Sequence, residues 1–225
     1  MRLQVCTASL LVALAGFALA ASKPHVILFG KWTTVRLFSG PEENHPVELK
    51  VRSLFVDGKL REYTFGLPHE ITEQLFVVRR ILRVNDDLPD EPPTNPHWTW
   101  QRDGWLAVDR ETGHSSLVNL PDFDPDDSSA AWYRGYVAYC GVSDDGQKLL
   151  AVIMHVGRRK PVLRKPLGEN SDEAHGVPQC APPVWQRRPA RVTFTTPADH
   201  AFTFIVRGRS IATVSEGEDD ETGTE

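Results

Sequence analysis

Between Ala131 and Leu167 the chain carries two apolar, β-branched and aromatic runs, Trp132–Val142 and Leu149–Val156. They flank Ser143-Asp144-Asp145-Gly146. This pattern predicts a β-hairpin, because aspartates favour turns and Gly146 supplies the φ > 0 position that closes one. Both runs are nearly continuous in apolar residues rather than alternating. That predicts strands covered on both faces and puts the hairpin at the buried centre of the fold.

Upstream, HVILF (25–29) and WTTVRLF (32–38) read as strands, followed by a polar turn, SGPEENHP. In ELKVRSLFV (48–56), Leu49, Val51, Ser53 and Phe55 share one face, while Lys50, Arg52 and Leu54 share the other. That alternation predicts a half-buried strand. A Val56-Asp57-Gly58-Lys59 turn leads into the strand LREYTF, and His69–Gln74 is expected as a short helical turn. LFVVRRILRVN (75–85) is read as a strand on its β-branched content and its short apolar runs. Residues 86–96, DDLPDEPPTNP, form a proline-rich internal loop that no regular ladder accommodates. HWTWQRDGWLAVDRETGHSSLVNL (97–120) predicts three short strands, with turns at Asp103-Gly104 and at Glu111-Thr112-Gly113. An acidic loop, PDFDPDDSS, precedes the central hairpin, and an irregular stretch, 168–189, follows it. RVTFTT and HAFTFIVRGRSIATV end the pattern as strands.

The expected fold class is therefore all-β: one antiparallel domain over residues 21–214, built as a sandwich or as barrel-like sheets with one disulfide. A weaker periodicity offers an alternative. Asp-Gly pairs stand at 57–58, 103–104 and 145–146, each followed by a strand-like stretch (KLREYTF, WLAVD and QKLLAVI), and SDDGQKLLAVI resembles the turn and strand of WD-type propeller repeats. The resemblance implies a small propeller-like stack. Against it, no WD dipeptide is present and no fourth Asp-Gly stands near Arg188.

The ends change the picture of compartment and charge. Residues 1–20 read as a Sec-type signal peptide, with Arg2 ahead of an apolar core, Leu10–Leu19, and a small-residue cleavage site at Ala18-Leu19-Ala20. Export to a periplasmic or extracellular space is the expectation. The last eleven residues, SEGEDDETGTE (215–225), read as a disordered acidic tail. Leaving out Arg2 and the six tail acids, 24 basic and 24 acidic residues remain, so the acidic balance belongs to the tail. With Cys6 in the signal, Cys140 and Cys180 are the remaining cysteines, and an exported pair implies a disulfide. Closing a loop of that length is worth up to about 4 kcal/mol in the chain-entropy estimate.

The sequence contains no G-x-S-x-G elbow, H-E-x-x-H, P-loop or dinucleotide fingerprint. His69-Glu70 with Glu73 is a fragment of a metal-binding helix without its second histidine. His155 reads as a core histidine at the end of a strand. Three groups carry candidate chemistry. Asp122, Asp124 and Asp126 alternate as calcium-loop oxygens do, though Asp127 and Tyr133 stand where an EF-hand needs glycine and glutamate. Arg158, Arg159 and Lys160, with Arg164 and Lys165 and joined by Arg187, Arg188 and Arg191, form a basic set suited to an anion or to protecting a strand edge. Trp98 and Trp100 share a strand face, with Trp105 beyond the next turn, and stack on sugars if exposed or fill a core if buried.

The functional expectation is an exported, non-catalytic binding or structural module with no cofactor. Its partner is expected to be an anionic envelope polymer, a glycan or another envelope protein, and not nucleic acid. The alternative is a secreted carboxylate-based hydrolase, which needs two carboxylates converging about 5–10 Å apart in a cleft.

Overall fold

The structure, a computed structural model, describes residues 23–37, 46–86, 98–170, 178, 180–207 and 210–213. The predicted signal, the proline-rich loop from residue 87 onward and the acidic tail lie outside the described residues. What is described is all-β, in three antiparallel sheets without helices.

The first sheet holds β1 (Ile27–Phe29), β2 (Thr33–Leu37), β3 (Val47–Val56), β4 (Lys59–Glu70), β5 (Leu75–Asn85), β6 (Trp98–Asp109) and β7 (Ser115–Leu117). Their order is β1-β3-β4-β5-β6-β7, with β2 also beside β3. Asp57 and Gly58, both at positive φ, make the tight β3–β4 turn that the Asp-Gly pair predicts. In register, Val51, Phe65 and Arg79 share one face with Tyr63 and Ile81, while Leu54, Glu62, Thr64 and Arg80 share the other. The sheet uses both. On the first face Leu37, Val51 and Ile81 pack with Tyr63, Phe65 and Trp100, and β2 approaches β6 across this cluster. On the second, Leu54, Phe76, Val78, Leu106 and Val108 pack under Ile27 and Phe29. Bulges in β3–β4, β4–β5 and β5–β6 let the long strands curl into this barrel-like form.

Two expectations fail in this sheet. Residues 69–74 form no helical turn: β4 runs through Glu70, and a bend closes where the Thr72 hydroxyl accepts from the Gln74 and Leu75 amides. Asp103-Gly104 is not a hairpin turn either. β6 continues through it as a bulge, because β5 pairs with β6 on both sides and the Asp103 carboxylate accepts from Gly104 N at 2.7 Å. The Asp-Gly periodicity therefore loses its middle member.

The second sheet is β11-β10-β9-β8: β8 (Ala131–Tyr133), β9 (Tyr136–Val142), β10 (Lys148–His155) and β11 (Leu163–Glu169). Its centre is the predicted hairpin, paired from Leu149↔Val142 to His155↔Tyr136, with Gly146 at φ 76° in the turn. The run Trp132–Val142 is not one strand, because Arg134-Gly135 splits it into β8 and β9. Nor is 168–189 irregular throughout, since it contains the end of β11 and all of β12 (Val184–Arg187). β12 opens the third sheet, followed in order by β13 (Ala190–Thr195), β14 (Ala201–Arg207) and β15 (Ser210–Thr213).

Both faces of the hairpin are covered, as its continuous apolar pattern requires. Ala138, Cys140, Leu149, Ala151 and Ile153 meet Val192, Phe194, Phe204 and Val206 of the third sheet, which makes a sandwich. On the opposite face Val137, Tyr139, Leu150, Val152 and Met154 lie under Leu120, Phe123 and Ala130 of the connection ahead of β8. Each fully buried side chain of this kind contributes about 2 kcal/mol of transfer free energy. Cys140 and Cys180 are bonded, with Cα atoms 6.3 Å apart, and tie the segment before β12 to the centre of the hairpin.

Candidate binding cleft at the junction of the three sheets

The barrel-like sheet docks on the sandwich through the face that carries His69, Arg79 and Trp105. Trp105 meets Trp132 edge to face at 5.1 Å, and the His69 ring stacks on the Trp132 indole with centroids 5.8 Å apart. Arg79 Nη2 donates to Pro125 O at 2.6 Å, with its guanidinium between the rings of Phe65, Trp105 and Phe123. Burial pulls the Arg79 pKa down to about 10, still far enough above neutral to keep the group charged. His69 Nε2 donates to Arg134 O at 3.0 Å, which fixes the ring against the β8–β9 turn.

Around this junction lies a cleft of about 740 Å³. The first sheet contributes His69, Glu70 and Ile71, the second Trp132, Tyr133 and Arg134, and the third Trp185, Arg187 and Arg188. Tyr133 and Trp185 stack across the second and third sheets, 5.4 Å apart and tilted by 28°. The Trp185 indole donates to Ala131 O at 2.9 Å, which locks the stack. Arg134 occupies the first position of the two-residue turn at φ 52°, an uncommon conformation for a residue with a side chain, and its guanidinium lies 5.4 Å from the Tyr133 ring. Gly135 beside it leaves room for the His155 ring, whose Nε2 would sit 2.9 Å from a Cβ at that position.

The cleft is electropositive. Glu70 is the one carboxylate among its lining residues, and Arg110 grips both of its oxygens at 2.8 and 2.9 Å. That hydrogen bonding holds the Glu70 pKa below the usual carboxylate range. Arg134, Arg187 and Arg188 are exposed and have no ion pair among the described residues. Three half-buried aromatic rings and three guanidinium groups without an ion pair among the described residues therefore line one space. Such a surface offers flat apolar contact and charge-assisted hydrogen bonds to a ligand.

The residues singled out from sequence are spread over the molecule. Trp98 is 47% exposed beside the Arg83 guanidinium, Trp100 packs edge-on against Tyr63 inside the barrel, and Trp105 is buried against Trp132. They form no common platform. Arg158, Arg159 and Lys160 are exposed in the β10–β11 connection rather than on a strand. Arg164 is on edge strand β11 and binds both oxygens of Asp122 at 2.8 and 3.0 Å, and Lys165 lies 5.6 Å from the Phe204 ring centre. Arg191 is half-buried in β13. Of the basic set, Arg187 and Arg188 alone reach the cleft.

Asp122, Asp124 and Asp126 are engaged separately. Asp122 holds Arg164, Asp124 Oδ1 accepts from the amides of Asp126 and Asp127, and Asp126 lies 3.7 Å from Arg102. Among the described residues no group of three or more His, Cys, Asp or Glu is placed to hold a metal ion. His155 Nδ1 contacts Val156 O at 2.6 Å under the edge of Tyr136. The cleft residues His69, Trp132, Tyr133, Arg134 and Trp185 were not candidates from sequence. Their local signature is an aromatic residue followed closely by arginine, Trp132-Tyr133-Arg134 and Trp185-Gln186-Arg187-Arg188. No protein-family model matches the chain, and no curated protein sequence matches it.

Proposed function

We propose that the protein is a non-catalytic binding module and that the three-sheet cleft holds an acidic oligosaccharide. The observation that carries this reading is the convergence of Tyr133, Trp185 and Trp132 with Arg134, Arg187 and Arg188 in one cleft. Pyranose rings lie flat on aromatic faces, and arginine forks match carboxylates in geometry as well as charge. The signal-like residues 1–20 support an exported ligand over nucleic acid. Binding rather than hydrolysis is supported by the carboxylates. Glu70 is committed to Arg110, and Asp122 and Asp124 are committed to partners of their own.

Calorimetric titration with tetragalacturonate, a neutral cello-oligosaccharide and a short oligodeoxynucleotide tests the reading. Tetragalacturonate is expected to bind at least tenfold more tightly than either of the others, with affinity falling as salt rises. Arg187→Gln with Arg188→Gln, and separately Trp185→Ala, should each weaken binding at least tenfold. Equal binding of the neutral sugar, preference for the oligonucleotide, or no binding of tetragalacturonate would overturn it.

A further inference from the structure

A second pocket, of about 420 Å³, opens between the end of β6 with β7 on one side and the turn after β10 on the other; it shares no lining residue with the cleft. Leu75, Ala107, Val118, Val156 and the 53% exposed Leu117 form the apolar part of its lining, and Thr112, His114, Ser116, Asn119 and His155 contribute polar atoms. Arg158 and Arg159 belong to the same pocket, from a turn in which Gly157 takes φ 83° and Arg158 N donates to His155 O at 3.0 Å. Both arginines are exposed and have no ion pair among the described residues. The one carboxylate in the lining, Asp109, is turned to its own loop, where Oδ1 accepts from Glu111 N at 2.7 Å and Thr112 N at 3.1 Å.

We infer that this pocket is a binding site for a small anionic amphiphile. The carboxylate head meets Arg158 and Arg159, and a medium-length hydrocarbon body lies along Leu75, Ala107, Val118 and Val156. A pocket of this size that combines an apolar wall with two guanidinium groups suits such a ligand, because the wall supplies transfer free energy and the guanidinium forks supply orientation. This use accounts for two arginines side by side at an apolar mouth, where a strand-edge role does not apply because they stand on no strand. The site is independent of the cleft and of the oligosaccharide reading.

Octanoate is the probe, with acetate lacking the body and 1-octanol lacking the charge. In titrations followed by amide spectra of the labelled protein, octanoate is expected to saturate at least tenfold below either control. The shifted amides should include Ala107, Val118 and Val156. Arg158→Gln with Arg159→Gln, two exposed changes, should reduce octanoate to the affinity of 1-octanol, and Trp185→Ala should leave octanoate binding unchanged. Absence of saturable octanoate binding, shifts confined to other residues, or an octanoate preference that survives loss of both arginines would overturn the assignment.

Discussion

Gly141 is the position at which one methyl group should do the most damage. It lies on the β9 face that also presents Val137 and Tyr139, under the connection ahead of β8. A Cβ there would sit 2.3 Å from Asp122 O and 2.7 Å from Asp122 Cβ, so backbone meets backbone and no side-chain rotation relieves the clash. The covering segment has to lift. Lifting breaks the 2.6 Å hydrogen bond from the Tyr139 hydroxyl to Pro121 O, about 1 kcal/mol. It also costs the edge contact of Phe123 with Tyr139, about 1 kcal/mol, and re-exposes part of the Phe123 ring, about 1–2 kcal/mol. The Asp122–Arg164 pair adds less than about 1 kcal/mol, because Arg164 is 45% exposed. Gly141→Ala should therefore lose about 3–5 kcal/mol in urea unfolding followed by tryptophan fluorescence. For a chain of this size that corresponds to a fall of roughly 10 °C in melting temperature. Gly104→Ala is the matched control: its nearest neighbour is Leu117 Cδ2 at 3.9 Å, so it should stay within about 0.5 kcal/mol of the parent. A Gly141→Ala protein within about 1 kcal/mol of the parent would refute the claim that the segment is seated on β9.

Replacing Cys140 and Cys180 together by serine should cost about 2–4 kcal/mol, read by the same unfolding assay, since the bond closes 40 residues of chain; an unchanged midpoint would contradict the tie between β9 and the segment before β12. Acid should destabilise the fold through four carboxylates whose pKa values are lowered: Asp57 by its bond to His25, Glu70 by Arg110, Asp109 by the Thr112 and Glu111 amides, and Asp145 by Ser143. A depressed folded value means the contribution is complete above the unfolded value, about 4, and is lost as pH falls through the folded values. The melting temperature should drop steadily below about pH 4, with a smaller drop in Asp109→Asn, and a rise on acidification from 4 to 2 would contradict the assignment.

The strands were legible where burial is uniform. The runs flanking Asp144-Asp145-Gly146 are nearly continuously apolar because sandwich and covering segment lie on opposite faces, so the hairpin announces itself. Asp103-Gly104 misled because the same dipeptide suits a turn and a bulge, and pairing with β5 on both sides decides between them. Trp98 and Trp100 alternate correctly, yet the curl of the sheet half-buries Trp100 and leaves Trp98 exposed at the end, an outcome set by β2 and not by β6 itself. Gly141 carries no local sign within its apolar run, because its role depends on a segment that crosses it from 19 residues earlier at Asp122. The cleft was hidden for the same reason. Its walls come from residues 69–71, 132–134 and 185–188, and each pair of aromatic and arginine residues has a plain reading until the three sheets bring them together.

The reading of the cleft is tested most directly by the indole signals of the six tryptophans during titration with tetragalacturonate. Trp132 and Trp185 line the cleft, whereas Trp98 stands beside Arg83 and Trp100 inside the barrel. The Trp132 and Trp185 indole N–H resonances should shift together along one saturation curve while those of Trp98 and Trp100 stay in place. Shifts at Trp98 with none at Trp185, or no saturable shift at any of the six, would contradict it.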